Sequence, residues 1–169
     1  AVRAKTPSQL DDDLSVARWV LDFEARAVLA LANNVNESFK EACDVLNDLT
    51  GRLIVTGMGK SGHIGRKIAA TFSSTGTPAH YVHPGEASHG DLGMVQHGDV
   101  LLALSNSGAT HELQDLIAYI KFIGIPLIVI VGRPDSILAE AADISLVLPS
   151  VPEACPMGLA PTTSTTMML

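Results

Sequence analysis

The hydrophobic pattern changes period along the chain. From Ser15 to Asn33, Val16, Val20, Phe23, Ala27 and Leu31 recur at helical spacing on one face. Asn36 to Leu49 repeats that spacing, with Asn36 placed to cap it. Beyond it come short continuous apolar runs: Arg52–Thr56, Ala79–His83, Val100–Leu104, Pro126–Val131 and Ile144–Leu148. Such runs suit strands of a parallel sheet buried on both faces. Between them lie helical patterns. Gly62–Ser74 turns Ile64, Ile68 and Phe72 inward, Thr110–Ile123 carries Leu113, Leu116, Ile117 and Ile120, and Asp135–Ala142 is shorter. The alternation predicts an α/β fold, a parallel sheet covered by helices on both faces. Residues 1–13 are polar, with Pro7 and three consecutive Asp, and read as a loose arm before one domain over 14–169. Thr162 to Thr166 opens a further helix through Met167, Met168 and Leu169, whose abrupt stop reads as a domain cut short.

Composition narrows the class. The chain has 169 residues, enough for one real core and too few for two ordinary domains. Apolar residues make up 47% and aromatic residues 4%, a mix that suits α/β layers. The net charge of −7 is spread without blocks, against an extended nucleic-acid surface but not against a small anion held by local donors. No apolar run is long enough to span a membrane, and no secretory pattern opens the chain. Cys43 and Cys155 are isolated, so a reduced, cytoplasmic protein is expected.

Candidate chemistry begins at Ser105-Asn106-Ser107-Gly108, directly after the run Val100–Leu104. Free N–H groups at a helix start, together with Ser and Thr hydroxyls, favour an anion. The turn has no Lys or Arg, so it suits a phosphate bound through neutral donors. The plainer reading is that Ser107 or Thr110 caps a helix. Gly57-Met58-Gly59-Lys60-Ser61-Gly62 matches a dinucleotide fingerprint, but the next strand ends Val82-His83-Pro84 without the acid that would hold the ribose. A phosphate-binding P-loop needs glycine where Ile54 stands. What remains is a lysine at the carboxyl edge of a sheet, where open α/β folds bind ligands. A solvated surface lysine is the alternative.

The segment His83 to Gly93 holds His83, Glu86, His89 and Asp91 and is too polar for a core element. It could move protons or hold a metal, though its spacing is no recognised metal motif. His80, within the strand, reads as structural. Glu153 sits between Pro152 and Pro156 beside Ala154 and Cys155, where partial burial would raise its pKa toward neutrality. An exposed loop glutamate is the plainer reading.

Together, G-M-G-K-S-G-H-I-G-R-K, H-P-G-E-A-S-H-G-D-L-G-M-V, S-N-S-G and E-A-C-P-M-G-L-A-P-T-T-S-T-T resemble sugar isomerase (SIS) domains, and more closely the arabinose-5-phosphate isomerases. The resemblance runs from about Val16 to the last residue. It implies a three-layer αβα sandwich around a five-stranded parallel sheet, in a homotetramer. It implies an aldose–ketose isomerase that interconverts D-ribulose 5-phosphate and D-arabinose 5-phosphate and feeds the Kdo sugar of lipopolysaccharide. Lys60, Glu112 and Glu153 match the family's catalytically relevant lysine and glutamates. Ser61, Gly76, Thr77, His83 and His89 match ligand-contact positions, and Ser105, Asn106, Ser107 and Thr110 match the phosphate pocket. His83 matches a position for an inhibitory divalent metal. A further family histidine, and the two CBS domains of full-length members, fall beyond Leu169.

The implied chemistry moves a proton between C1 and C2 through a cis-enediol. It needs a base, a cation or donor at the developing oxyanion, and an anchor for the phosphate, but no redox cofactor. Glu112 or Glu153 could be the base, and Lys60 could stabilise the enediolate. No required cofactor, no nucleic acid and no membrane partner is expected. A non-catalytic sugar-phosphate sensor, as SIS domains are in some transcription regulators, is the alternative. No DNA-binding module in the sequence favours it.

Overall fold

A computed structural model describes residues 12–169. The polar arm expected over residues 1–13 therefore lies, through residue 11, outside the described residues. Asp12 and Asp13 belong to the first helix. Asp12 accepts hydrogen bonds from Ser15 N at 2.9 Å and Ser15 Oγ at 2.6 Å, capping α1 (Asp13–Asn34) two residues earlier than the periodicity suggested. Asn36 caps α2 (Glu37–Asn47) as expected, accepting from Ser38 N at 3.0 Å.

Strands and helices then alternate: β1 (Leu53–Gly57), α3 (Gly59–Ser74), β2 (Ala79–Tyr81), α4 (Pro84–Ser88), β3 (Val100–Ser105), α5 (Gln114–Ile123), β4 (Leu127–Val131), α6 (Ile137–Ala141), β5 (Ile144–Val147) and α7 (Thr163–Met168). The five strands are all parallel, in the order β2-β1-β3-β4-β5. Each face carries its own core. Ile54, Leu101, Ala103, Leu127, Val129 and Val131 pack with Ala87 of α4, Leu116 and Ile120 of α5 and Leu138 of α6. On the other face Leu53, Val55, Leu102, Leu104 and Ile128 meet Ala27 of α1, Ala42 of α2, Ala69 of α3 and Met167 and Met168 of α7. The two sets alternate along each strand, as period-2 geometry dictates. The result is the expected three-layer sandwich.

Three of the boundaries that differ from the sequence reading do so for a local reason. α3 starts at Gly59, not Gly62, because Gly59 takes a left-handed φ of 57° and leaves only Met58 between strand and helix. β2 stops at Tyr81 because His83 caps a helix that Pro84 begins. The polar stretch His83–Gly93 is thus largely helical, α4 followed by a 3₁₀ turn at Asp91–Met94, with Pro84 and Ala87 buried. Thr110 does not open α5 directly, since a 3₁₀ turn, His111–Leu113, comes first. No helix among the described residues is long and apolar enough to cross a membrane.

Candidate functional site

The strand order reverses between β1 and β3, since the chain moves from β1 to one side for β2 and to the other for β3. Ligands of open α/β sheets bind outside the carboxyl ends of the strands at such a switch point. The turns leaving β1 and β3 are those that carry Lys60 and Ser105-Asn106-Ser107-Gly108.

After β1, Lys60 stands exposed in the first turn of α3 and makes no hydrogen bond or ion pair among the described residues. Ser61 is half-buried, with its hydroxyl 3.7 Å from Met168 Sδ. That contact ties the start of α3 to α7.

After β3, the turn is held from within. Ser105 is buried, shares a 2.7 Å hydrogen bond with the Thr110 hydroxyl and accepts one from Gly108 N at 3.1 Å. Ser105 therefore shapes the turn, while Ser107 and Asn106 are exposed and Thr110 half-buried. Ser107 Oγ accepts from Ala109 N at 3.3 Å. The next segment braces the turn from below. Gly132 N donates to Asn106 O at 3.1 Å and Leu138 N to Gly108 O at 3.1 Å. Gly108, at φ 63°, has no room for a side chain, because a Cβ would stand 2.0 Å from Ser136 Oγ. Glu112 follows in the exposed 3₁₀ turn.

Glu153 is reached by a longer path. β5 lies at the far edge of the sheet, but the chain returns so that α7 packs on α1 and α3. Glu153 Oε2 accepts from Thr162 N at 2.7 Å, Thr162 Oγ1 at 3.1 Å and Ser164 N at 3.2 Å. Oε1 has no such partner among the described residues. Ala154 N donates to Thr162 Oγ1 and Thr163 Oγ1 at 2.9 and 3.0 Å, closing the arrangement. The sequence reading expected burial to raise this carboxyl toward neutrality. Burial does push it up, but the Ser164 and Thr162 donors outweigh that push and hold it below the ordinary carboxylate range. Donors to the charged oxygen decide the direction.

His83 and His89 bracket α4. His83 caps it, its Nδ1 accepting from Gly85 N at 3.2 Å, and His89 follows its last residue. No three His, Cys, Asp or Glu side chains among the described residues come together as a metal set. Gly76 and Thr77 precede β2 and so lie at the amino edge of the sheet, opposite Lys60 and Ser107. Within one chain they do not join the other candidates. An apolar cavity of about 440 Å³ lies on the α1–α2–α3 face, against Leu31, Phe39, Phe72, Ile128 and Met168, and none of the candidate residues lines it.

Sequence reasoning missed three contributors. Thr162 and Ser164 were legible as hydroxyls but not as donors to Glu153, since nothing local pairs residues nine and eleven positions apart. Tyr81, whose hydroxyl reaches the carbonyl of Gly57, lies inside the expected strand run Ala79–His83 and carries no motif. The available signal was the small-residue face of α3, Gly62 and Gly65, which an aromatic ring must fill.

Comparison with known proteins agrees with this geometry. The SIS domain model matches residues 49–169. The arabinose 5-phosphate isomerase KdsD of Salmonella typhi is 53% identical over 158 residues, covering 94% of this chain and 48% of the relative. That of Pseudomonas aeruginosa is 51% identical over 162 residues, covering 96% of this chain and 50% of the relative. The chain thus spans about half the length of the curated relatives it matches. Among solved structures, a putative phosphosugar isomerase involved in capsule formation from Bacteroides fragilis superposes with a TM-score of 0.88 at 40% identity, covering 93% of this chain and 84% of that one. An Escherichia coli protein in complex with arabinose 5-phosphate gives 0.86 at 38%, covering 93% and 85%. With its switch-point turns, its five parallel strands and a matching model over most of its length, the chain belongs to the SIS domain family.

Proposed function

We propose that this chain is the catalytic domain of an arabinose-5-phosphate isomerase, interconverting D-ribulose 5-phosphate and D-arabinose 5-phosphate. The observation that carries the reading is the 53% identity to arabinose 5-phosphate isomerases across 94% of the chain. The turn after β3 anchors the phosphate through Ser107 and Thr110, far from the reacting carbons, where binding energy serves orientation. Lys60 faces the C2 oxygen and stabilises its negative charge in the enediolate.

Glu112 removes a C1 proton from the ketose and returns it to C2, while a proton moves from O1 to O2. The C1 hydroxyl thereby becomes the aldehyde and the C2 ketone the alcohol. The choice of Glu112 over Glu153 follows from hydrogen bonding. Glu153 Oε2 already accepts three donors, whereas Glu112 stands exposed just after the phosphate turn, so Glu153 is assigned to holding charge and orienting the sugar. This proton chemistry needs no electron acceptor, so no cofactor is required. His83 and its neighbours offer no closed ligand set, and a divalent ion bound through His83 would inhibit rather than assist. On this reading the enzyme is a cytoplasmic homotetramer that supplies Kdo synthesis for lipopolysaccharide. The test is direct conversion by the full-length protein. D-arabinose 5-phosphate should yield D-ribulose 5-phosphate faster than hexose or heptose phosphates yield their partners. Preference for another sugar phosphate would replace the substrate, and binding without turnover would favour the sensor.

A further inference from the structure

The ladder between β1 and β2 is short, ending with Val55 opposite Tyr81 and one more backbone bond, Val82 N to Val55 O at 2.9 Å. Past that point two side chains continue the pairing. Thr56, fully buried, donates from Oγ1 to Val82 O at 2.8 Å, and Tyr81 donates from its hydroxyl to the carbonyl of Gly57. Gly57 is the last residue of β1, and Lys60 follows it by three positions.

The ring of Tyr81 is closely enclosed. A Cβ added to Gly62 would stand 2.6 Å from both Tyr81 Oη and Gly57 O, and one added to Gly65 would stand 3.3 Å from the ring. The Arg66 guanidinium carbon lies 4.2 Å from the ring centroid, within cation–π range. The His83 ring meets Tyr81 edge-on, 6.5 Å between centroids. Tyr81 therefore touches two of the turns that carry candidate ligand contacts, the one with Lys60 and the one with His83. Its burial raises the phenol, so the hydroxyl remains a donor at all working pH values.

We propose that Tyr81 is a positioning residue for the isomerisation: its hydroxyl pins the Gly57 carbonyl, which sets the peptide plane entering Met58 and hence the direction of Lys60. The proposal rests on the isomerase reading of the site. Free rotation of that peptide would let the lysine ammonium sample positions away from the enediolate. A displacement of about 1 Å at a reacting group can cost on the order of 100-fold in rate.

The experiment is Tyr81→Phe in the full-length protein, which keeps the ring and removes the hydroxyl. Amide hydrogen exchange gives a readout that does not depend on activity. Exchange at Gly62 and Val82, whose N–H groups donate to Met58 O and Val55 O, should accelerate several-fold, while the β4 amides keep the parent rates. The kcat for pentose 5-phosphate interconversion should fall about ten- to hundredfold with KM within about twofold. Parent-like exchange at Gly62 and Val82 would overturn the proposal, as would accelerated exchange with parent kcat. If the unaltered protein turns over no pentose phosphate, the isomerase reading fails and the exchange data alone decide whether Tyr81 fixes the turn. A general loosening that extends to β4 would show a packing role instead and would equally overturn it.

Discussion

The turn after β3 and the segment around Glu153 both present oxygen-rich chemistry, yet they are built in opposite ways. The side chains of the β3 turn pair within five positions, Ser105 to Thr110 and Ser105 to Gly108, while Gly132 and Leu138 brace only its carbonyls. Glu153 depends on Thr162 and Ser164, brought back by a connection that runs from the far edge of the sheet. The first can lose one exposed hydroxyl without disturbing its frame. In the second, the Glu153 carboxylate is itself part of the frame. Substitutions in the two regions should therefore separate binding from stability differently.

The largest effect is expected at Glu112, the proposed base. Glu112→Gln in the full-length protein should lower kcat about 10²–10⁴-fold, the range of a general base, with pentose-phosphate binding and melting temperature retained. Turnover within a few-fold of the parent would move the base elsewhere. Glu153→Gln should differ in kind. It should lower kcat and also the melting temperature, because a neutral amide replaces a charged acceptor of backbone and hydroxyl donors. Calorimetry alongside kinetics separates the two, and a Glu153→Gln protein as stable as the parent would show that the carboxylate does not hold α7. Ser107→Ala sharpens the contrast from the other side. One hydrogen bond to a phosphate is worth about 1.5–3 kcal/mol, so KM should rise about tenfold or more with unchanged melting temperature.

The legibility of the two regions follows the same division. Ser107 and Thr110 were readable as hydroxyls at a strand–turn–helix junction because those three elements occur in sequence order. The Asn36 cap and the strand runs were readable for that reason too. The direction of the Glu153 shift was not, since burial is suggested by the neighbours Pro152 and Ala154, whereas the donors arrive from later in the chain. The sequence does not distinguish Ser105 from Ser107, because it cannot tell an inward hydroxyl from an outward one. The structure buries Ser105 against Thr110. Gly76 and Thr77 came with the family resemblance, and only the strand topology places them at the opposite edge.

The smallest expected effect is on pH dependence. Glu153 and Asp143 both sit below the ordinary carboxylate range. Burial raises each, but for Asp143 the Leu127 N–H and Lys121 outweigh it. A depressed folded value means the stabilisation is complete above the unfolded carboxylate pKa and is lost as pH falls through the lower folded one. The melting-temperature gap between the parent and Glu153→Gln should therefore be widest at neutral pH and narrow on acidification below about pH 4. A gap that widens in acid would reverse the assigned direction.

The most direct single measurement is a crystal structure of the full-length Glu112→Gln protein with D-arabinose 5-phosphate bound. The expected result is a phosphate within hydrogen-bond distance of Ser107 and Thr110, with C1 and C2 between residue 112 and Lys60. A sugar bound with its phosphate at Lys60, or with its carbons out of reach of residue 112, would contradict the assignment of these two turns to anchoring and proton transfer.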